Sequence, residues 1–245
     1  MISIFAKHTY FLGPMDKKET WRLQRVSSRI RGEEIAKYLG AKLNQERSDV
    51  NIYIKACNYH LIKDGDYVDV LDDLWMVDWL KNRPKVKVIA MSLSHLDYLK
   101  SILKNKIVYI PHHHVNFDRV KRTRKKVTTC GYIGSPQKIE IKGFKFIYLD
   151  AYKTRKDIIN FYKKIDIQVI GNVKDVPYYH PTKIINAMSF GIPTVAPKRI
   201  GYREVDGFYF QNIEELKDGW DAEKLVKEAE KYHISAVAEL YRKLC

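Results

Sequence analysis

Lys183 is the residue whose position most plainly asks for a ligand. In the stretch HPTKIINAMSFGIPTVAP (180–197), Pro181 suits the first position of a helix, where its missing N–H would be unsatisfied anyway, and Gly191 with Pro193 stops that helix. The spacing predicts a helix over about 181–190, with Lys183 in its first turn. A cation there meets the positive end of the helix dipole and loses about 0.3–1 kcal/mol unless an anion is shared. Free backbone N–H groups and a lysine at a helix start make a phosphate site, with Thr182 and His180 beside it. The competing reading is a lysine that points into water at that small cost.

The same anomaly occurs earlier. Arg29 and Arg31 lie at the start of a helix predicted in SSRIRGEEIAKYLG, which has Ser27 or Ser28 as N-cap and Gly40 just past its end. A second anion, or an acidic side chain, is expected near them.

These residues need elements to hold them, and the chain alternates strand-like with helix-like segments. MISIFA, DVNIYIKA, DYVDVLDD, KVKVIAMS and KIVYIP read as strands; LWMVDWLKN and LSHLDYLKSILKN read as helices. A run with six basic residues, RVKRTRKK (119–126), then interrupts the pattern and marks a surface linker or strand edge. The alternation resumes with VTTCGYIGS, FKFIYLD, a helix RKDIINFYKKI opened by a Thr154-x-x-Asp157 box, the strand DIQVIG, and a last helix over about 221–244. Strands separated by helices imply parallel α/β sheets, here in two units, 1–115 and 116–245. In such sheets ligands lie beyond the carboxyl ends of the strands, which is where DIQVIG leads into the Lys183 helix.

Composition narrows the partners. The net charge of +15, from 44 Lys+Arg against 29 Asp+Glu, favours nucleic acid, an anionic membrane surface or a phosphorylated small molecule; a merely solvated basic face stays open. Three scattered cysteines, Cys57, Cys130 and Cys245, support neither a disulfide framework nor a zinc site. MISIFAKHTY is not a signal peptide, and no uncharged apolar run approaches the roughly 18–20 residues that span a bilayer, so a cytoplasmic protein is expected.

PTKIINAMSFGIPTVAP resembles the donor-binding segment of the large retaining group of GT-B glycosyltransferases, roughly P-x-K-x-x-E-A-M-A-x-G-x-P-V-V. IVYIPHHHVNFDR is similar to the I-P-N-G-V-D stretch that ends their first domain, TTCGYIGS to the first strand of their second, and RKDIINFYKKIDIQVIG to the segment before the donor helix. The four pieces stand in the family's order. The resemblance implies two Rossmann-like domains facing across a cleft, and a nucleoside-diphosphate sugar as co-substrate with no further cofactor. It implies that Lys183 meets the diphosphate, with Gly134 and Ser135 close to it. The family's paired glutamates, eight positions apart, are Tyr178 and Asn186 here. Asn186 can still hydrogen-bond a ribose hydroxyl, whereas Tyr178 can stack or bond without charge.

Transfer of a sugar requires the leaving diphosphate to be stabilised and, in an inverting enzyme, a base near the acceptor hydroxyl. His8, after the first strand, and His95, after VIAMS, stand where such a base or a sugar contact would be placed. Asp72 could orient an acceptor, helix capping being as good a reason for an aspartate there. The run HHH (112–114) reads as hinge and cleft lining rather than a metal site, because consecutive side chains diverge. Three functions follow: transfer to a glycan or lipid-linked acceptor, with the basic first domain resting on an anionic membrane; transfer to a modified base in DNA; or a silent module of the same fold that binds nucleic acid or protein.

Overall fold

The computed structural model describes residues 1–6, 29–55, 57–124, 126–134, 139, 141–150, 154–171 and 174–245. His8, Ser27, Ser28 and Ser135 lie outside them. The first half holds β1 (Ile2–Ala6), a π-helical turn (Arg29–Glu34) running into α1 (Ile35–Leu39), β2 (Lys42–Leu43), β3 (Val50–Ile54), β4 (Tyr67–Asp69), α2 (Leu74–Lys81), β5 (Lys87–Ala90), α3 (Leu93–Ile102) and β6 (Ile107–Tyr109). Its six strands pair in the order β2-β1-β3-β4-β5-β6, every pair parallel.

The alternation of apolar residues explains why both faces of this sheet are covered. Ile4, Ile52 and Ile89 point to one side, into a core with Ile35 and Ala36 of α1. Phe5, Tyr53, Val68 and Val88 point to the other, against Met76 and Leu80 of α2 and Leu99 of α3.

The second half contains β7 (Thr129–Ile133), β8 (Lys145–Leu149), α4 (Arg155–Tyr162), β9 (Ile167–Val169), α5 (Thr182–Ser189), β10 (Thr194–Val195), α6 (Ala222–Ala229) and α7 (Ile234–Arg242). Its sheet runs β10-β9-β7-β8, again parallel. The Thr154–Asp157 capping box forms on α4 as its sequence predicts. Helix α5 begins one residue later than expected, with Pro181 as N-cap, and Gly191 at φ +70° ends it: Gly191 N–H donates to Met188 C=O at 2.9 Å and Ile192 N–H to Ala187 C=O at 3.0 Å.

The single last helix expected over 221–244 is two helices. The chain breaks at the short 3-10 turn Glu230–Tyr232, whose Tyr232 carbonyl accepts the N–H of His114, while His233, extended at ψ 148°, caps α7 through Ser235 N–H. The break lets α7 cross back: Ile234, Val237 and Tyr241 are buried in the core of the first sheet, and α7 packs on α1. Residues 116–245 are therefore not a self-contained unit, since their last helix completes the first domain.

Candidate functional site

The carboxyl ends of both sheets meet at the junction of the halves. From the second sheet, β9 leads to α5 and its Lys183, and β7 ends at Gly134. The Lys183 ammonium lies 4.9 Å from the Tyr132 ring centroid and packs so tightly on Gly134 that a Cβ there would stand 3.0 Å from Nζ. Gly134, at φ +137°, is favoured by its backbone, and a side chain there would press on the flexible end of the lysine. Burial depresses the Lys183 pKa, and among the described residues the ammonium has no hydrogen bond or ion pair. A half-buried cation with no anionic partner among the described residues, at the positive end of a helix, can take one.

His180 stands beside it. Its Nδ1 pairs with the Thr182 hydroxyl, and its ring stacks on that of His112 with centroids 4.1 Å apart. Burial, then the nearby Arg31 guanidinium, depresses His180 to about 3, with Asp72 acting weakly the other way. Burial likewise takes His112 well below its usual value. Both rings are neutral at pH 7, and among the described residues neither nitrogen of His112 has a hydrogen-bond partner.

From the first sheet, Ser92 caps α3 by accepting His95 N–H at 3.1 Å and reaches across to the Tyr179 carbonyl at 3.2 Å. His95 is buried, and its Nδ1 accepts Met91 N–H at 3.4 Å. Burial holds the ring neutral, at about 4, so the proton sits on Nε2. That arrangement makes His95 a hydrogen-bond donor; the base expected at this position would need Nε2 free of its proton.

The expected anion sites at Arg29 and Arg31 are occupied by carboxylates of the chain itself. Arg29 pairs with Glu33 at 3.0 Å. Arg31, 1% exposed, pairs with the wholly buried Asp69 at 2.5 Å and donates to the Ile110 carbonyl at 2.9 Å; among the described residues its NH1 has no partner. Of the two outcomes the sequence left open, the acidic side chain is the one realised. Asp72 pairs with Lys55 at 2.7 Å; the residue at the α2 N-cap is Asp73, whose side chain does not cap. Lys55 and Leu71 have φ of +57° and +51°, a left-handed backbone that non-glycine residues avoid, at the cleft ends of β3 and β4.

The two positions that replace the family's glutamates face elsewhere. Asn186 Oδ1 accepts Val115 N–H at 2.9 Å, which commits its carbonyl to the chain linking the sheets, and Asn116 ties the same link to the Ser189 carbonyl at 2.8 Å. Tyr178 packs on the first domain, its ring 6.2 Å from Tyr98. The structure thus gathers Gly134, His180, Thr182 and Lys183, sets His95, Asp72 and Arg31 near His180, and turns Asn186 and Tyr178 toward the junction. Asp69 and Lys55 escaped the sequence reading, because nothing local to either marks its partner. Among the described residues no group of three or more His, Cys, Asp or Glu is placed to hold a metal ion.

Part of the basic charge is paired internally. Arg122 and Arg124 of the 119–126 run both pair with the buried Asp166, and Arg119 pairs with Glu230. Lys42 and Arg47 pair with Glu46 and Asp66. No helix among the described residues is long and apolar enough to cross a membrane.

Two parallel α/β sheets joined at their carboxyl ends, with the last helix returned to the first, are the GT-B fold, and solved structures share it. Sucrose-phosphate synthase from Thermosynechococcus elongatus matches with a TM-score of 0.55 at 12% identity, over 96% of this chain and 82% of that one. A glycosyltransferase from Rickettsia africae matches with a TM-score of 0.53 at 12% identity, over 95% and 83%. The DNA-modifying enzyme β-glucosyltransferase, solved with and without its substrate uridine diphosphoglucose, matches with a TM-score of 0.50 at 12% identity, over 99% and 94%. No protein-family model matches the sequence, and no curated protein matches it. At these identities the likeness establishes the fold.

Proposed function

We propose that this chain is a glycosyltransferase that moves a sugar from a nucleoside-diphosphate donor to a glycan or lipid-linked acceptor, without a metal ion. The observation that carries the reading is Lys183: a half-buried ammonium at the start of α5, packed on Gly134 and Tyr132, with no anionic partner among the described residues. A diphosphate there would receive the ammonium and the free N–H groups of α5, which is the stabilisation a leaving nucleotide needs. Thr182, His180, Gly134 and Ser135 complete the donor side. His95 offers an Nε2–H donor for a sugar hydroxyl, and His8 is the remaining candidate base. That the solved structures of like fold include three sugar-transferring enzymes by title supports the class.

The second acceptor, a modified base in DNA, has one specific observation in its favour, the likeness to the DNA-modifying enzyme. Against it, the arginines that would track phosphates are tied to Asp166 and Glu230. The net charge of +15 still suits peripheral contact of a cytoplasmic protein with an anionic membrane. A silent module of this fold has only the missing glutamates behind it.

Calorimetric titration with UDP, GDP and ADP, on the wild type and on Lys183→Ala, tests the donor site. One nucleotide should bind the wild type and lose its affinity in the variant. Absence of binding by all three would remove the donor reading and leave the silent module.

A further inference from the structure

A second cation of the cleft repeats the anomaly of Lys183. Arg155 is the first residue of α4, fixed there by the Thr154–Asp157 capping box, so its charge also stands at the positive end of a helix. Its guanidinium lies 3.9 Å from the Phe117 ring centroid and, among the described residues, has no hydrogen bond or ion pair. It borders a cavity of about 710 Å³ whose opposite wall is the turn from Arg29 to Glu34 and the start of α1, so the cavity lies between the two domains. That turn is π-helical, a geometry that recurs at functional sites. The volume lies within the range of small-molecule pockets.

We propose that this cavity is the acceptor subsite, and that it takes a sugar bearing an anionic group, a phosphate or a carboxylate, whose charge is held by Arg155. The inference rests on the glycosyltransferase reading and specifies its acceptor. Glu34, on the facing wall, tunes the site. Burial raises its pKa to about 7, against the opposing pull of Arg155, Arg29 and Lys37, with Glu33 beside it adding to the rise. From the linker, His113 Nε2 lies 3.4 Å from Glu34, and burial keeps that ring neutral, at about 4. Glu34 is therefore the group that changes charge near neutrality, and an anion should bind more tightly as it becomes protonated.

The test is calorimetric titration of the full chain with glucose 6-phosphate, glucuronate and glucose, in the wild type and in Arg155→Leu, Arg155→Lys, Glu34→Gln and Lys183→Ala. A charged sugar should bind where glucose does not, its identity telling phosphate from carboxylate. Its affinity should fall about tenfold or more in Arg155→Leu, with the thermal midpoint unchanged, and less in Arg155→Lys. It should be kept in Lys183→Ala. Wild-type affinity should fall from pH 6 to 8 and become flat in Glu34→Gln. Equal binding of charged and neutral sugars, loss in Lys183→Ala but not in Arg155→Leu, or Arg155-dependent binding of a DNA duplex with no charged sugar bound, overturns the proposal. Nucleoside diphosphate titrations decide the donor site separately, so the two readings fail independently.

Discussion

The imidazole of His112, on the chain leaving the first sheet, stacks on that of His180, on the loop entering α5, with centroids 4.1 Å apart and planes 28° from parallel. The contact joins the domains beside Lys183, and both rings are uncharged there, because burial, and then nearby charges including Arg31, oppose protonation of either.

Acid should therefore loosen the junction. His95, His112, His113, His114 and His180 all have folded-state values below the usual 6.5, chiefly through burial. Between about pH 4 and 6.5 the unfolded chain binds more protons at these groups, so their contribution is complete above 6.5 and is lost as pH falls. Glu34 and Glu204, raised to about 7 by burial, act the other way between about 4.5 and 7. Asp69, raised by burial as well, acts in the same sense as the two glutamates. With five groups against three, the thermal midpoint should fall by about 5 °C or more from pH 7 to 5, at ~2–4 °C per kcal/mol. His180→Asn should reduce the slope. A midpoint that holds or rises on acidification would count against the neutral stack.

Asn186 should prove a linker residue. Asn186→Ala leaves the buried Val115 N–H without its acceptor, at a cost of about 1–3 kcal/mol, and Asn186→Asp, which keeps an oxygen there, should restore most of it. Denaturant unfolding measures the loss. Should the alanine variant unfold like the wild type but bind nucleotide about tenfold more weakly, the side chain belongs to the ribose instead.

Asn186 also shows where a sequence stops being legible. The Gly191 stop fixes the end of α5, because it is set by neighbours within a turn, whereas Asn186 is one of six consecutive buried residues there. Its partner is 71 residues away, and Arg31 and Asp69 are separated by 38; a buried pair of that kind leaves no trace in local spacing. Most strands and helices were readable from period and end signals, and the misplaced charge of Lys183 from Pro181 and the Gly191 stop. The return of α7 was not, since the break at Tyr232 depends on His114 taking its carbonyl.

Asp69 tests the most deeply buried charge. Asp69→Asn removes the counter-ion of Arg31, a guanidinium 1% exposed, and should destabilise by about 3–5 kcal/mol. The double variant Arg31→Met, Asp69→Asn should recover a large part of that in chemical denaturation. If both variants unfold alike, the single loss comes from the shape of the site and not from the stranded charge.

Lys183 separates a binding role from a structural one. An ammonium half-buried without an anion opposes folding, whereas its place 4.9 Å from the Tyr132 ring returns about 0.5–2 kcal/mol as a cation–π contact. Lys183→Met keeps the stem against Tyr132 and removes the charge. If the lysine is held for a ligand, the variant should melt at the same temperature or higher, as sites kept for function commonly do, while nucleotide affinity falls about tenfold or more through loss of a charged hydrogen bond. Calorimetry on one preparation reads both quantities. A lower midpoint with unchanged nucleotide affinity would make the ammonium part of the scaffold, and would return the anomaly at the start of α5 to a plain cost of the fold.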